Sequence, residues 1–182
     1  MAKIANNLLG YPKEIKKIFS IISKNNPKVL EIGCGSGRDA KEILKYTNDY
    51  LGIDFSEGMI KQAKKFVPEA DFIIADLEEF IFPEKLDVIF AAASLLHSDK
   101  ENLKNFFNKA YDTLNKGGVI FISLRYREKY EGEKNADDFG SRFFYYYNSK
   151  LVKKIAGERY KIWLEEIEEY RNLKWINFIF QK

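Results

Sequence analysis

The chain has 182 residues, enough for one packed core without disulfides or metals. Apolar residues make up 46%, charged residues 31%, and the formal net charge is +3, a balance that excludes general disorder and does not by itself demand nucleic acid. The single cysteine, Cys34, excludes an intramolecular disulfide and suits a reducing compartment, and the single histidine excludes a multi-histidine metal site, so no metal is expected. Charges interrupt the N-terminal segment and no run approaches the ~18 apolar residues of a membrane span, which leaves neither a secretory peptide nor a membrane anchor in view and makes the cytoplasm the expected location.

In chain order, Pro12 suits a first helical position, and Ile15, Ile18, Phe19 and Ile22 give that helix one apolar face before Asn25, Asn26 and Pro27 stop it. Lys28 to Ile32 reads as a strand buried on both faces, followed by a turn through Gly33, Cys34, Gly35, Ser36 and Gly37 and a helix with Ala40, Ile43 and Leu44 inward. Tyr50 to Ile53 is a second strand ending at Asp54, after which Ser56 caps a helix carrying Met59, Ile60 and Ala63. Phe72 to Ala75 and Leu86 to Ala91 read as the third and fourth strands. Ser98 and Glu101 form a capping-box pattern ahead of Leu103, Phe106, Phe107, Ala110 and Leu114, and Gly117 and Gly118 end that helix before a fifth strand, Val119 to Ser123. The rhythm breaks from Arg125 to Asn148. A helix from Ser149 to Ala156 follows, stopped by Gly157, and then two strands, Tyr160 to Leu164 and Leu173 to Phe180, joined by a charged turn and therefore antiparallel neighbours. The expected fold is α/β: a Rossmann-like, doubly wound, mostly parallel seven-stranded sheet with an antiparallel C-terminal strand and helices on both faces, in one domain spanning 1–182.

In such a sheet ligands collect outside the carboxyl ends of the strands, where Glu31, Asp54 and Asp76 fall. The segment LEIGCGSGRD lets backbone approach a ligand closely, and Asp54, 21 residues beyond Gly33, stands where a carboxylate receives both ribose hydroxyls. A dinucleotide fingerprint would place its third glycine where Arg38 stands, and no Gly-Lys-Ser/Thr run serves a triphosphate, which leaves an adenosine ligand without a pyrophosphate.

On these residues the chain resembles the class I S-adenosylmethionine-dependent methyltransferases, from about Lys28 to Lys182. The acidic-x-Gly-x-Gly-x-Gly motif is matched by Glu31, Gly33, Gly35 and Gly37, with Cys34 inside the turn as a packing residue. The resemblance implies that the glycines pass beneath the methionine part of the cofactor, with Glu31 near its amino group. It also implies Asp54 on the ribose, Phe55 and Met59 beside the adenine, Asp76 on the adenine amino group with Leu77 stacked nearby, and Ala91 and Ala92 flanking the methionine moiety. Met59 reads equally as ordinary helix packing.

Around the acceptor the sequence offers His97, Arg142 and Tyr146. His97 is readable either as a proton acceptor over the crevice or as a structural residue at a helix start. The stretch DDFGSRFFYYY resembles a Gly-Arg-Phe-Phe-x-Tyr-Tyr pattern of small bacterial and archaeal methyltransferases, broken here by Ser141 between Gly140 and Arg142. Either Arg142 faces an anionic group while Tyr145 or Tyr146 bounds the acceptor, or the aromatics are a latch packed over the sheet.

The expected chemistry is in-line displacement at the sulfonium methyl, releasing S-adenosylhomocysteine, with alignment as the protein's main contribution. Segment 1–26 is expected to cover the site and 125–147 to face the substrate, a small molecule, with no membrane partner and a monomer or homodimer. An inactive cofactor-binding protein, an oxidoreductase, and an RNA or protein methyltransferase stand as alternatives.

Overall fold

A computed structural model describes residues 10–137 and 140–182, with the side chains of 136, 137, 140 and 141 left aside. Residues 1–9 of the expected N-terminal segment, and Asp138 and Phe139 of the aromatic stretch, lie outside the described residues.

The elements follow in the order α1 (Pro12–Ile21), β1 (Val29–Ile32), α2 (Ala40–Ile43), β2 (Tyr50–Asp54), α3 (Glu57–Phe66), β3 (Asp71–Ile74), β4 (Leu86–Ala92) and a 3-10 turn (Leu95–His97). They continue with α4 (Lys100–Thr113), β5 (Leu114–Tyr126), β6 (Glu131–Asp137), β7 (Gly140–Tyr147), α5 (Ser149–Ala156), β8 (Lys161–Tyr170) and β9 (Leu173–Gln181). Strands β3-β2-β1-β4-β5 are parallel neighbours in that order. β9 runs antiparallel along the free side of β5, and β8 pairs outside it. The expected doubly wound sheet with an antiparallel C-terminal strand is therefore present, enlarged from seven strands to nine.

The two extra strands form a hairpin, β6–β7, where no strand was expected. Arg125 pairs with Tyr146 on one side and Trp175 on the other. Because β9 and β4 flank β5 on opposite sides, β7 continues the β4 side beyond that strand's carboxyl end, which stands the hairpin beside the crevice.

Side chains alternate along each strand, so the sheet has two apolar faces. One carries Leu30, Ile89, Ile120, Ile122 and Phe178 against α4 and α5. The other carries Val29, Val88, Phe90, Phe121 and Ile179 against α1, α2 and α3. Each fully buried Phe or Ile contributes about 1.5–3 kcal/mol, so both layers are required to hold the central strands.

Two local expectations are corrected. The α4 cap is Asp99, whose side chain accepts from Asn102 N at 2.9 Å, and not Ser98; Ser98 offers its carbonyl to Tyr147 OH at 2.7 Å. The charged turn after Leu164 is strand: β8 continues to Tyr170, and the reversal is confined to Arg171 and Asn172, both at positive φ, 52° and 60°. That pair of left-handed residues matches the tight hairpin turn whose twist suits adjoining strands. Among the described residues no helix is long and apolar enough to cross a membrane.

Candidate functional site

β1 ends at Ile32, and the chain turns through Gly33, Gly35 and Gly37 with φ of 68°, 54° and 82°, values that favour glycine. The turn is tied to its neighbour by Cys34 N donating to Ile53 O at 2.9 Å. A Cβ on Gly33 would sit 2.3 Å from Ser94 Cβ, so the turn meets the segment after β4 at a distance only glycine allows. At Gly35 no atom lies within 4 Å of that position, so the backbone there is open to an incoming ligand. Gly37 instead packs toward Phe72 and Ala63 beneath the turn.

A crevice of about 810 Å³ opens above this turn, within the size range of ligand pockets. Of the residues singled out in the sequence, Gly33, Cys34, Gly35, Met59 and Ala92 line it. Glu31 lies under its floor, 2% exposed, and accepts a hydrogen bond from Tyr50 OH. Burial first, then the nearby Asp39 charge, pushes the Glu31 carboxyl well above its ordinary value. Asp54 is half-buried at the end of β2, with Oδ2 accepting from Gly35 N at 3.0 Å and Oδ1 from Ser56 N at 2.9 Å. Both of its oxygens are thereby held by backbone donors with lone pairs to spare, although Asp54 is not among the residues lining the crevice.

Phe55 is 74% exposed beside Asp54. Asp76 is exposed just past β3, its Oδ1 accepting from Glu78 N at 2.9 Å, and Leu77 is half-buried next to it. Ala75 N donates to Asp54 O at 3.1 Å, which brings the two acidic strand ends side by side. Ala91 faces the opposite core.

His97, Arg142 and Tyr146 come together but not in the crevice. Imidazole Nδ1 donates to Phe143 O at 2.7 Å, and the ring lies 4.6 Å from that of Phe144. The Arg125 guanidinium stands 3.9 Å over Phe144 and donates through Nη1 to Tyr146 OH at 3.2 Å, while Arg142 lies 5.5 Å from the Phe144 ring centre. Tyr146 and Phe144 are buried against Leu96. Burial holds the His97 imidazole below its ordinary value, and Arg142 and Arg125 act in the same direction against the opposing Phe143 carbonyl. The group clamps the β6–β7 hairpin onto the segment after β4.

The residues that sequence reasoning missed come from the ends of the chain. Tyr11 and Glu14 of the α1 region and Glu168, Tyr170, Trp175 and Asn177 of β8 and β9 line the far part of the crevice. Tyr11 OH donates to Ser123 Oγ at 2.9 Å and Tyr11 N to Asp39 Oδ1 at 3.3 Å, while Asp39 also pairs with Arg38. These contacts hold the start of α1 at the crevice. No local spacing marks the set, because Tyr11 and Glu14 stand more than a hundred positions from Glu168, Tyr170, Trp175 and Asn177.

The residues fit an adenosine-containing methyl donor on two structural grounds: the open approach above Gly35, and the buried Ser94 Oγ, which has no partner among the described residues and lies against Gly33.

Comparison with known proteins agrees. Residues 29–118 match a family model described as a methyltransferase domain. Malonyl-(acyl-carrier protein) O-methyltransferase of Ilyobacter polytropus is 34% identical over 112 residues, 59% of this chain and 41% of that protein. Phosphoethanolamine N-methyltransferase of Plasmodium falciparum is 34% identical over 114 residues, 59% of this chain and 43% of that one. The chain thus spans about two-fifths of the length of these curated relatives. A crystal structure of an S-adenosylmethionine-dependent methyltransferase from Methanosarcina mazei superposes with a TM-score of 0.78 at 16% identity, covering 96% of this chain and 99% of that one, which supports the fold. With its glycine turn, acidic strand ends and matched segment, the chain carries an S-adenosylmethionine-dependent methyltransferase domain over residues 29–118.

Proposed function

We propose that the chain transfers a methyl group from S-adenosylmethionine to a small-molecule acceptor held in the same crevice. When bound, S-adenosylmethionine supplies an electrophilic methyl group on a positively charged sulfur and leaves as S-adenosylhomocysteine. The observation that carries the reading is the continuity of the crevice. It runs from Gly33, Gly35, Met59 and Ala92 to Tyr11, Glu14, Trp175 and Asn177. A donor and an acceptor could therefore share one crevice, which favours their alignment.

In this reading Gly33 and Gly35 receive the methionine part, with Glu31 and Ser94 beneath and beside it. Asp54 takes the ribose hydroxyls, and Phe55, Met59, Asp76 and Leu77 surround the adenine. His97, Arg142 and Tyr146 act as positioning residues, because their contacts hold the β6–β7 hairpin against the segment after β4. The free, buried Cys34 thiol, pushed up by burial and by the Glu31 and Asp54 charges, suits packing in a reducing compartment such as the cytoplasm.

Calorimetric titration of the ligand-stripped chain tests this reading. Micromolar binding of S-adenosylhomocysteine, none of NAD, and at least tenfold weaker binding by Asp54→Ala are expected. Absence of S-adenosylhomocysteine binding would overturn it.

A further inference from the structure

The far end of the crevice has a charge pattern of its own. On the α1 face of the sheet the buried positions Val119 and Phe121 of β5 are followed by Ser123, and Ser123 pairs in register with Asn177, which pairs with Glu166. Across three strands the apolar layer thus gives way to a polar row, with Glu168 two residues further along β8 and Glu14 of α1 opposite. One carboxylate oxygen from each of Glu14, Glu166 and Glu168 lies within 4.8 Å of the others. Among the described residues no Lys or Arg forms an ion pair with any of the three. Lys13 borders the crevice, but it is exposed.

A second observation is independent of the acids. Asn177 is fully buried and lines the crevice; its Nδ2 donates to Glu168 Oε2 at 3.2 Å, while its Oδ1 is buried without a partner among the described residues. The amide orientation follows from chemistry, since a carboxylate can only accept. A buried carbonyl left unpaired costs about 1–3 kcal/mol, so its retention beside the cavity points to a donor that arrives with a ligand. The three carboxylates and the amide oxygen are acceptors, and the one buried side-chain donor without a partner among the described residues lining the crevice is Trp175 Nε1. Burial, and then repulsion from Glu168 and Glu166, already raises the Glu14 carboxyl above its ordinary value, a strain that a cation would relieve.

We infer that this end of the crevice takes an organic ammonium group, so that the acceptor is an amine-bearing small molecule rather than an anionic one. Glu14 and Glu168 supply the countercharge and Asn177 Oδ1 accepts an N–H. Tyr11, Tyr170 and Trp175, which line the same space, offer aromatic surface suited to an organic cation. That aromatic lining distinguishes the site from a hard-metal cage, in which oxygen ligands alone surround the ion. The inference rests on the methyltransferase reading for its role in catalysis, though not for the binding itself.

Calorimetric titration of the full chain, with and without S-adenosylhomocysteine, by 2-phenylethylamine, 2-phenylethanol and phenylacetate tests the assignment. The ammonium should bind at least tenfold more tightly than the alcohol or the carboxylate. Glu168→Gln should weaken it at least tenfold with S-adenosylhomocysteine affinity retained, and Glu166→Gln, on an exposed side chain, should move it in the same direction. Equal or tighter binding of phenylacetate, or no saturable binding of the ammonium up to about 10 mM, would overturn the inference. So would stoichiometric binding of Mg²⁺ or Ca²⁺ that Glu168→Gln abolishes. Failure of S-adenosylhomocysteine alone would strike the methyltransferase reading, whereas failure of the ammonium alone would strike only this one.

Discussion

The phenol of Tyr11 donates to Ser123 Oγ at 2.9 Å across 112 positions of sequence, fixing the start of α1 to the carboxyl end of β5. Ser123 is fully buried, and burial raises the Tyr11 phenol above its ordinary value. Tyr11→Phe keeps the ring packing on Phe90 and Phe121 and leaves Ser123 without this partner. A loss of about 1–2 kcal/mol in urea unfolding is expected. Faster amide exchange in α1 than in α4 would accompany it; unchanged α1 protection would show that the bond does not hold the helix.

Gly33 and Gly35 should respond differently to alanine. Both have positive φ, but only Gly33 would bring a Cβ against Ser94, at 2.3 Å. Gly35→Ala should cost only the backbone strain, about 1–2 kcal/mol, and weaken S-adenosylhomocysteine binding, because its Cβ would enter open space. Gly33→Ala should cost clearly more in chemical unfolding. Equal losses would mean that the segment after β4 shifts freely.

Glu31 carries a pH signature. Its folded-state value is raised, so between about 4.3 and that value the native state holds more protons than the unfolded chain. Stability on its account is therefore complete below about pH 4.3 and declines as pH rises through the raised value. Glu31→Gln, which can still accept from Tyr50 OH, removes that decline. Its melting temperature relative to the parent should improve by at least about 2 °C between pH 4 and pH 8, a shift worth roughly 1 kcal/mol in a chain of this size.

His97 runs the other way. Its folded value is lowered, so the native state holds fewer protons once pH falls below about 6.5, and stability is lost as pH drops toward the folded value. His97→Gln should flatten the fall in melting temperature between pH 7 and pH 5. Amide exchange localised to β6 and β7 would tie the effect to the Phe143 contact, and an unaltered slope would remove His97 from the clamp.

The central strands were legible because β1, β4 and β5 carry near-continuous apolar runs that only a sheet covered on both faces can bury. The glycine turn and the acidic strand ends were legible for a related reason. Gly33, Gly35 and Gly37 need a local backbone conformation, and Glu31, Asp54 and Asp76 follow from strand ends, so short stretches of chain specify them. The second half of β8, beyond Leu164, escaped because Glu165, Glu166, Glu168 and Glu169 interrupt any apolar alternation on an outer strand whose partner is β9 alone. β6 escaped because EGEKNAD has no strand propensity; it pairs only with β7, whose aromatics are gripped by Arg125 and His97. Distant packing also decided what His97, Arg142 and Tyr146 touch. The far wall of the crevice, where Tyr11, Glu14, Glu168 and Asn177 meet, exists only once α1 covers β5 and the C-terminal hairpin closes beside it. Local chemistry thus wrote the glycine turn and the acidic strand ends into the sequence, whereas the far wall of the crevice depends on side chains that only long-range strand register and helix packing bring within reach of one another.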